Sequence, residues 1–120
     1  MPGLRRIQGE LVFPDDAGAA VAERVVVELR DVSAMDQPSR VLAATELRDQ
    51  PIGPGTRLPF AFDAPESPPR DALGLRAQVT LRGAGGGAAQ VEGTDYLSTG
   101  SQPVEPAGDA RGLQVPLSRP

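Results

Sequence analysis

The strictest constraint in this sequence is a period of two in the placement of its apolar side chains. From Leu75 to Arg82, apolar and polar residues alternate without interruption. This pattern is typical of a β-strand with one buried face and one solvated face. A helix would bring Arg82 onto the apolar face of Leu75, because residues seven apart share one side of a helix. The segment therefore predicts a strand.

Six further short segments show related patterns. They are Arg5–Phe13, Glu23–Val32, Val41–Leu47, Leu58–Phe62, Val91–Thr99 and Leu113–Leu117. Glu23–Val32 is rich in β-branched residues and predicts a central strand. Val41–Leu47 leaves a short helix open as an alternative, since Ala43 and Ala44 favour helix.

Two prolines inside these segments bear on the position of their strands. Pro59 lies between Leu58 and Phe60, and Pro116 lies between Val115 and Leu117. Proline has no N–H to donate to a ladder. We therefore expect both strands to lie at sheet edges.

The segments together predict an all-β chain, because no amphipathic helix of 10–15 residues separates them. We expect a single antiparallel β-sandwich of about seven strands, Ig-like or transthyretin-like. At 120 residues, 1–120 is expected to form one domain. The glycines between Gly83 and Gly87 predict a flexible hairpin, followed by a loose C-terminal region with a terminal strand.

Side-chain composition narrows the chemistry that the chain can perform. It contains no histidine and no cysteine, which removes Ser-His-Asp and Cys-His catalysis and the usual zinc ligands. It also lacks lysine, so the Gly83–Gly87 cluster is not a P-loop. Paired carboxylates remain, but a sugar cleft needs aromatic platforms and aromatics make up only 3% of the residues. We expect a protein that is not an enzyme and needs no cofactor.

Two acidic turns are the candidates for a calcium site. They pair Asp15 with Asp16 and Asp31 with Asp36. Neither has the ligand density of an EF-hand loop. We expect no metal there, and we interpret Asp31, Ser33 and Asp36 as residues that bond nearby backbone N–H groups and end a strand.

The charge pattern argues against polyanionic partners. The net charge is −4, which opposes binding to nucleic acid and to anionic membrane surfaces, and no apolar run is long enough to enter a bilayer. Arg76 and Arg82, with Arg30, could form a basic stripe that captures an acidic partner. We favour a solvated face instead, because Glu28 and Glu46 are expected among them.

The stretch from Val25 to Asp36, followed by Pro38 and Val41–Ala43, resembles the YbaY/YscW family. That family's hallmark is a valine-rich strand that ends in Leu-x-Asp-Val-Ser, with a second aspartate three residues after the serine. The matching residues here are Leu29, Asp31, Val32, Ser33 and Asp36. Weaker matches at Gly9–Glu10, Leu58–Phe62 and Leu75–Ala77 extend the resemblance over roughly residues 7–82, whereas 83–120 diverges.

This resemblance implies a β-sandwich with a chaperone-like role. Members of the family are small lipoproteins, some of which are type III secretion lipoprotein chaperones, or pilotins. They usually begin with a signal peptide and a lipid-modified cysteine, and this chain shows neither. We expect a cytoplasmic location if the chain is complete as given, and the cell envelope if a leader was removed.

The leading hypothesis is a non-catalytic accessory domain that accepts a segment of a partner protein. An edge strand or the groove between sheets would receive that segment, and the sequence assigns no individual partner-binding residue. We expect a monomer or weak homo-oligomer. The alternatives are a self-assembling structural domain with no ligand of its own, and a carboxylate enzyme or sugar binder.

Overall fold

The computed structural model describes residues 3–33, 40–82, 95–99 and 102–119. These residues form eight strands, and none of them lies in a helix. The strands are β1 (Leu4–Val12), β2 (Ala20–Asp31), β3 (Arg40–Ile52), β4 (Arg57–Pro65), β5 (Leu73–Leu81), β6 (Tyr96–Ser98), β7 (Gln102–Val104) and β8 (Ala110–Ser118). The all-β prediction is confirmed for this part of the chain, and the helical alternative for Val41–Leu47 is wrong.

The strands form one mixed sheet in the order β3-β2-β5-β6-β8-β1-β4, and β7 pairs with β5. β1 and β8 run parallel, whereas every other described pair is antiparallel. The short β6–β8 ladder joins the two halves through Leu97 opposite Ser118 and Ser98 opposite Leu117. The sheet curls until β3 and β4, its first and last strands, come near each other, so that it is nearly closed into a barrel.

The predicted antiparallel β-sandwich of about seven strands is therefore corrected to this mixed, eight-stranded sheet. Alternation with a period of two gives each strand one buried face, and that requirement is the same in two stacked sheets and in one curled sheet. The parallel β1–β8 pair joins strands from opposite ends of the chain. No hairpin turn fixes their relative direction, so local sequence could not reveal it.

The inward faces of the central strands form the core as predicted. Val25, Val27 and Leu29 of β2 are fully buried, and so are Leu75 and Val79 of β5, whereas Leu81, also expected to face inward, is only half-buried. The remaining buried apolar residues are Ile7, Leu11, Phe13, Ala17, Ala22, Ile52, Leu58, Phe60, Phe62, Ala64, Leu73, Ala77, Tyr96, Val104, Val115 and Leu117. Burial of these side chains is the main favourable contribution to folding.

The two proline predictions have opposite outcomes. β4, which contains Pro59, is the last strand of the sheet and pairs only with β1 among the described residues, as expected. β8, which contains Pro116, lies between β6 and β1, so the edge prediction for that strand is wrong. The N–H of Thr99 donates to the carbonyl of Pro116 just beyond Ser98, the last residue of β6. Pro116 therefore lies at the end of the described β6–β8 ladder, where its missing N–H removes no bond from within that ladder.

The C-terminal part of the chain is more regular than predicted. β8 is nine residues long and contains the predicted terminal strand Leu113–Leu117, with Val115 and Leu117 buried. β7 was missed because three residues are too short to show alternation. The predicted Gly83–Gly87 hairpin, and residues 91–94 of the predicted strand Val91–Thr99, lie outside the described residues.

Candidate functional site

The Leu-x-Asp-Val-Ser motif forms the end of β2 and its junction with the loop before β5. Leu29 is fully buried in the core. The Ser33 backbone N–H donates to the Asp31 carboxylate at 2.9 Å, which is the predicted turn in which an aspartate bonds the backbone two residues later. The Ser33 hydroxyl accepts from the Ala72 N–H at 2.8 Å, and the Val32 N–H donates to the Ala72 carbonyl at 2.9 Å. The motif therefore acts as a structural clasp.

The clasp changes the acidity of its carboxylate. Hydrogen bonds from Ser33 stabilise the charged form and hold the pKa of Asp31 below its usual value. Four of the motif residues come together at this strand end: Leu29, Asp31, Val32 and Ser33. Asp36, the fifth, lies outside the described residues. None of the four described motif residues lines either of the two cavities described below.

An unclosed seam between β3 and β4 is the more promising site, and we name it the β3–β4 opening. The two strands follow each other in the chain across the turn Gly53–Thr56, where the Thr56 N–H donates to the Gly53 carbonyl at 3.1 Å. Such neighbours normally pair as a hairpin. Here, β3 pairs with β2 and β4 pairs with β1, so two edges face each other without a ladder in the described part of the chain.

Hydrogen-bond phase shows which backbone groups of β3 face the β3–β4 opening. Val32 bonds Ala72, directly opposite it in the β2–β5 register, so from Arg24 to Val32, after the register shift at Ala22/Arg24, the even-numbered residues bond β5, and Val25, Val27 and Leu29 bond β3. Val27 therefore bonds Thr45, its partner in β3. The alternate residues of β3 point their N–H and C=O groups away from β2; they are Ala44, Glu46 and Arg48.

The same argument applied to β4 shows an edge with fewer donors. Phe13 bonds Thr56, directly opposite it, so the even-numbered residues of β4 bond β1. The outward-facing backbone groups belong to Arg57, Pro59, Ala61, Asp63 and Pro65. Two of these five residues are prolines, which have no N–H. The β4 edge is therefore a poor template for a further strand, a common protection of exposed edges.

A shallow groove of about 480 Å³ lies over β8, β1 and β4 and touches β3 at Leu47, beside the β3–β4 opening. Its lining residues are Gln8, Gly9, Glu10, Leu47, Pro59, Phe60, Ala61, Gly112 and Gln114. Leu47 is half-buried at the inner face of β3, because no neighbouring strand covers it. The groove thus combines an apolar contact from each edge with polar side chains at its rim.

Ion pairs cover the outer face of β3. The Glu46 carboxylate accepts from Arg24 at 3.0 Å and from Arg48 at 2.5 Å, and hydrogen bonding to Arg24 holds the pKa of Glu46 below its usual value. Arg30 pairs with Glu28 at 2.9 Å. These contacts support the solvated, mixed-charge face that we favoured over a basic stripe, and exposed pairs of this kind contribute little to stability.

Arg5 is the one buried charged side chain among the described residues, with 3% of its surface exposed. Its Nη1 donates to the carbonyl oxygens of Glu105 at 2.5 Å and Gly108 at 3.1 Å, which ties β1 to the loop before β8. Burial lowers the pKa of Arg5, while Glu66 and Asp109 oppose that shift. Sequence reasoning missed this contact, since a charged residue in a strand usually faces solvent.

A second cavity, of about 600 Å³, lies beside the same loop. Its rim carries the acidic residues Asp71, Glu105 and Asp109 and the cation Arg111. Arg111 pairs with Asp109 at 3.5 Å. Within the described ranges, no group of three or more acidic side chains is arranged to hold a metal ion, and no helix could span a membrane.

Comparison with known proteins adds one finding about the fold. The chain is similar to the solved structure of an alternative pilotin from the type II secretion system of Vibrio cholerae, with a TM-score of 0.64. The sequence identity is 18%, and the alignment covers 98% of this chain and 100% of that one. No protein-family model and no curated protein matches the sequence. The similarity therefore shows a shared fold.

Proposed function

We propose that this chain is a non-catalytic, chaperone- or pilotin-like accessory domain that binds a segment of a partner protein at the β3–β4 opening. The observation that carries the proposal is the pair of neighbouring sheet edges that remain unjoined in the described chain. Addition of a strand to an exposed edge is a common mode of peptide recognition. The groove beside the opening offers apolar contacts from Leu47 and Phe60 for a bound side chain.

Two further observations support this function. The structural neighbour is a pilotin, and the resemblance of Leu29–Ser33 to the YbaY/YscW hallmark is independent of that structural match. The sequence lacks the histidine and cysteine that most nucleophilic and acid–base catalysis requires, which favours binding over catalysis.

Site-specific photo-crosslinking in the native cell tests the proposal. A photoreactive phenylalanine analogue replaces Pro59, an exposed residue in the groove; the matched control carries it at Gln78, an exposed residue of β5 remote from the opening. We expect position 59 to yield a covalent adduct with one protein, and position 78 to yield none. No adduct, or the same adducts from both positions, would contradict the proposal.

A self-assembling structural domain is the second candidate, since the exposed β3 edge is equally accessible to another copy. Light scattering over a range of concentrations separates the two. A stable monomer is expected for the accessory role, whereas a concentration-dependent oligomer that buries the β3–β4 opening would favour self-assembly.

A further inference from the structure

We infer that the β3 edge, and not the β4 edge, is the template for the partner. The partner segment is extended, pairs through its backbone with Ala44 and Glu46, and alternates apolar side chains with polar ones that include an acidic residue. This inference rests on the proposed function and adds to it the recognising edge, the conformation of the partner segment and its side-chain pattern.

Backbone donors decide between the two edges. Ala44 and Glu46 each direct one N–H and one C=O away from β2, which supplies a short ladder with alternating donors and acceptors. On β4 the corresponding positions include Pro59 and Pro65, so a strand added there loses two of its five donors. Both edges border the same opening; proline interrupts the outward donors of β4 at Pro59 and ends them at Pro65, whereas no proline falls among the outward positions Ala44, Glu46 and Arg48 of β3.

The ladder on β3 has a defined end. The Gln50 side-chain amide donates to the Arg48 carbonyl at 2.8 Å, which occupies the next outward-facing acceptor. Asp49 has a φ of 57°, a left-handed conformation that interrupts the pleat. Pairing is thus confined to the stretch before Arg48, and we expect a short partner segment.

The core-facing side of β3 determines which residues of the partner segment should be apolar. Thr45 and Leu47 are only half-buried on the side that faces the core, whereas their β2 partners Val27 and Val25 are fully buried. A strand laid about 4.8 Å beyond β3 covers Leu47 and brings its inward side chains towards Phe60. At these inward positions of the partner segment, apolar side chains gain the most free energy from burial.

The solvent-facing side of β3 determines which residues of the partner segment should be polar. Glu46 is bonded to Arg24 and Arg48, so this cluster holds two positive charges and one negative charge. An acidic side chain on the outward face of the partner segment complements the net positive charge of this cluster. At the start of β3, Val41 exposes 42% of its surface and offers one apolar contact outside the cluster.

Amide hydrogen exchange with a defined probe tests the choice of edge. The probe is a capped peptide of about nine residues in which valine alternates with threonine and glutamate. We expect saturating peptide to slow exchange of the Ala44 and Glu46 amides at least about tenfold and to leave Ala61 and Asp63 within about twofold. Protection at Ala61 and Asp63 instead, or at neither edge, would overturn the inference.

Proline substitutions give a second test that does not depend on the probe. Ala44→Pro removes an outward donor from β3, Asp63→Pro removes one from β4 at a residue that does not line the groove, and Ala44→Ser changes the side chain but keeps the N–H. With the crosslinker at position 59, we expect Ala44→Pro to reduce the adduct at least about tenfold and the other two variants to stay within about twofold. Circular dichroism and thermal melting verify that each variant folds.

The outcomes separate the inference from the proposed function. An adduct that persists in Ala44→Pro, or that Asp63→Pro abolishes, leaves the accessory role standing and refutes β3 pairing. Loss of every adduct in the parent protein refutes the accessory role. A dimer whose Ala44 and Glu46 amides are already protected without peptide assigns the edge to a second copy and also overturns the inference.

Discussion

β2 and β3 are hydrogen-bonded neighbours that differ in how many of their edges are paired with another strand. β2 pairs on both sides, with β3 and β5, and its inward residues Val25, Val27 and Leu29 are fully buried. β3 pairs on one side in the described chain, and its directly opposite residues Leu47 and Thr45 remain half-buried. The two strands face the same core, so the difference reflects the missing neighbour of β3.

This contrast separates stability from binding within one sheet. Residues of β2 are constrained on all sides, and substitutions there act mainly on folding. Residues at the outer edge of β3 have backbone groups with no ladder partner in the described chain, so substitutions there should leave the fold intact and act on association. Four predictions test or sharpen the contrast, and they follow in decreasing order of expected effect.

Val27→Asp and Thr45→Asp place the same charge at directly opposite positions of the β2–β3 ladder. Val27 is fully buried, so its substitution buries an unpaired carboxylate and should cost at least about 4 kcal/mol, enough to unfold much of the protein at neutral pH. Thr45 is half-exposed, and we expect about 1 kcal/mol there. Urea unfolding measures both, and equal costs would refute the contrast.

Thr45→Pro and Ala44→Pro compare adjacent residues whose N–H groups face opposite sides of β3. Loss of the Thr45 donor leaves the Val27 carbonyl without its ladder bond and should cost about 1–3 kcal/mol. Ala44→Pro removes an outward donor and should cost less than about 1 kcal/mol. Thermal melting is the measurement, and a larger cost for Ala44→Pro would show that the assigned hydrogen-bond phase is wrong.

Ser33→Ala tests how the fully paired strand is held at its end. The change removes the hydroxyl that accepts from the Ala72 N–H, and it should cost about 1 kcal/mol in urea unfolding. Ser33→Thr keeps the hydroxyl and should recover most of that loss. If both variants match the parent protein, the clasp does not contribute to stability.

Acid titration isolates the carboxylate of the same clasp. The pKa of Asp31 is lowered in the folded state by bonds from Ser33, so its contribution to stability is complete above the unfolded pKa of about 3.9. That contribution is lost as the pH falls through the lower, folded value. The stability difference between the parent and Asp31→Ala should therefore shrink from pH 7 towards about pH 2. A difference that stays constant over this range would exclude the proposed hydrogen bond.

The sequence predicted the strands better than their arrangement. Alternation located Leu75–Leu81 and the valine-rich strand before Asp31 because burial on one face leaves a direct mark on side-chain type. Closure of the sheet depends on the β6–β8 ladder and the parallel β1–β8 pair, which involve distant residues and leave no local mark. The position of β8 in the sheet was mispredicted for the same reason, because Pro116 was the only local signal and it suggested an edge strand.

That an edge strand binds a partner stays a prediction, and the sequence located only one of the two sheet edges. An edge strand was expected to receive a partner, and Pro59 correctly identified one edge of the sheet. The β3 edge could not be identified, because only the register with β2 shows which way the Ala44 and Glu46 backbones point. Pro65, six residues after Pro59, shares its phase, and that spacing is the signal that sequence reasoning could have used.

The Gly53–Thr56 turn has a consequence for how a partner arrives. Its Gly55 N–H bonds the Pro14 carbonyl and its Thr56 carbonyl accepts from the Phe13 N–H, so the turn end of the β3–β4 opening is held against the residues that follow β1. An opening of this kind is accessible from the side and does not surround a bound segment. Under the proposed function, an internal loop of a folded partner could therefore dock there without being threaded, as well as a free tail.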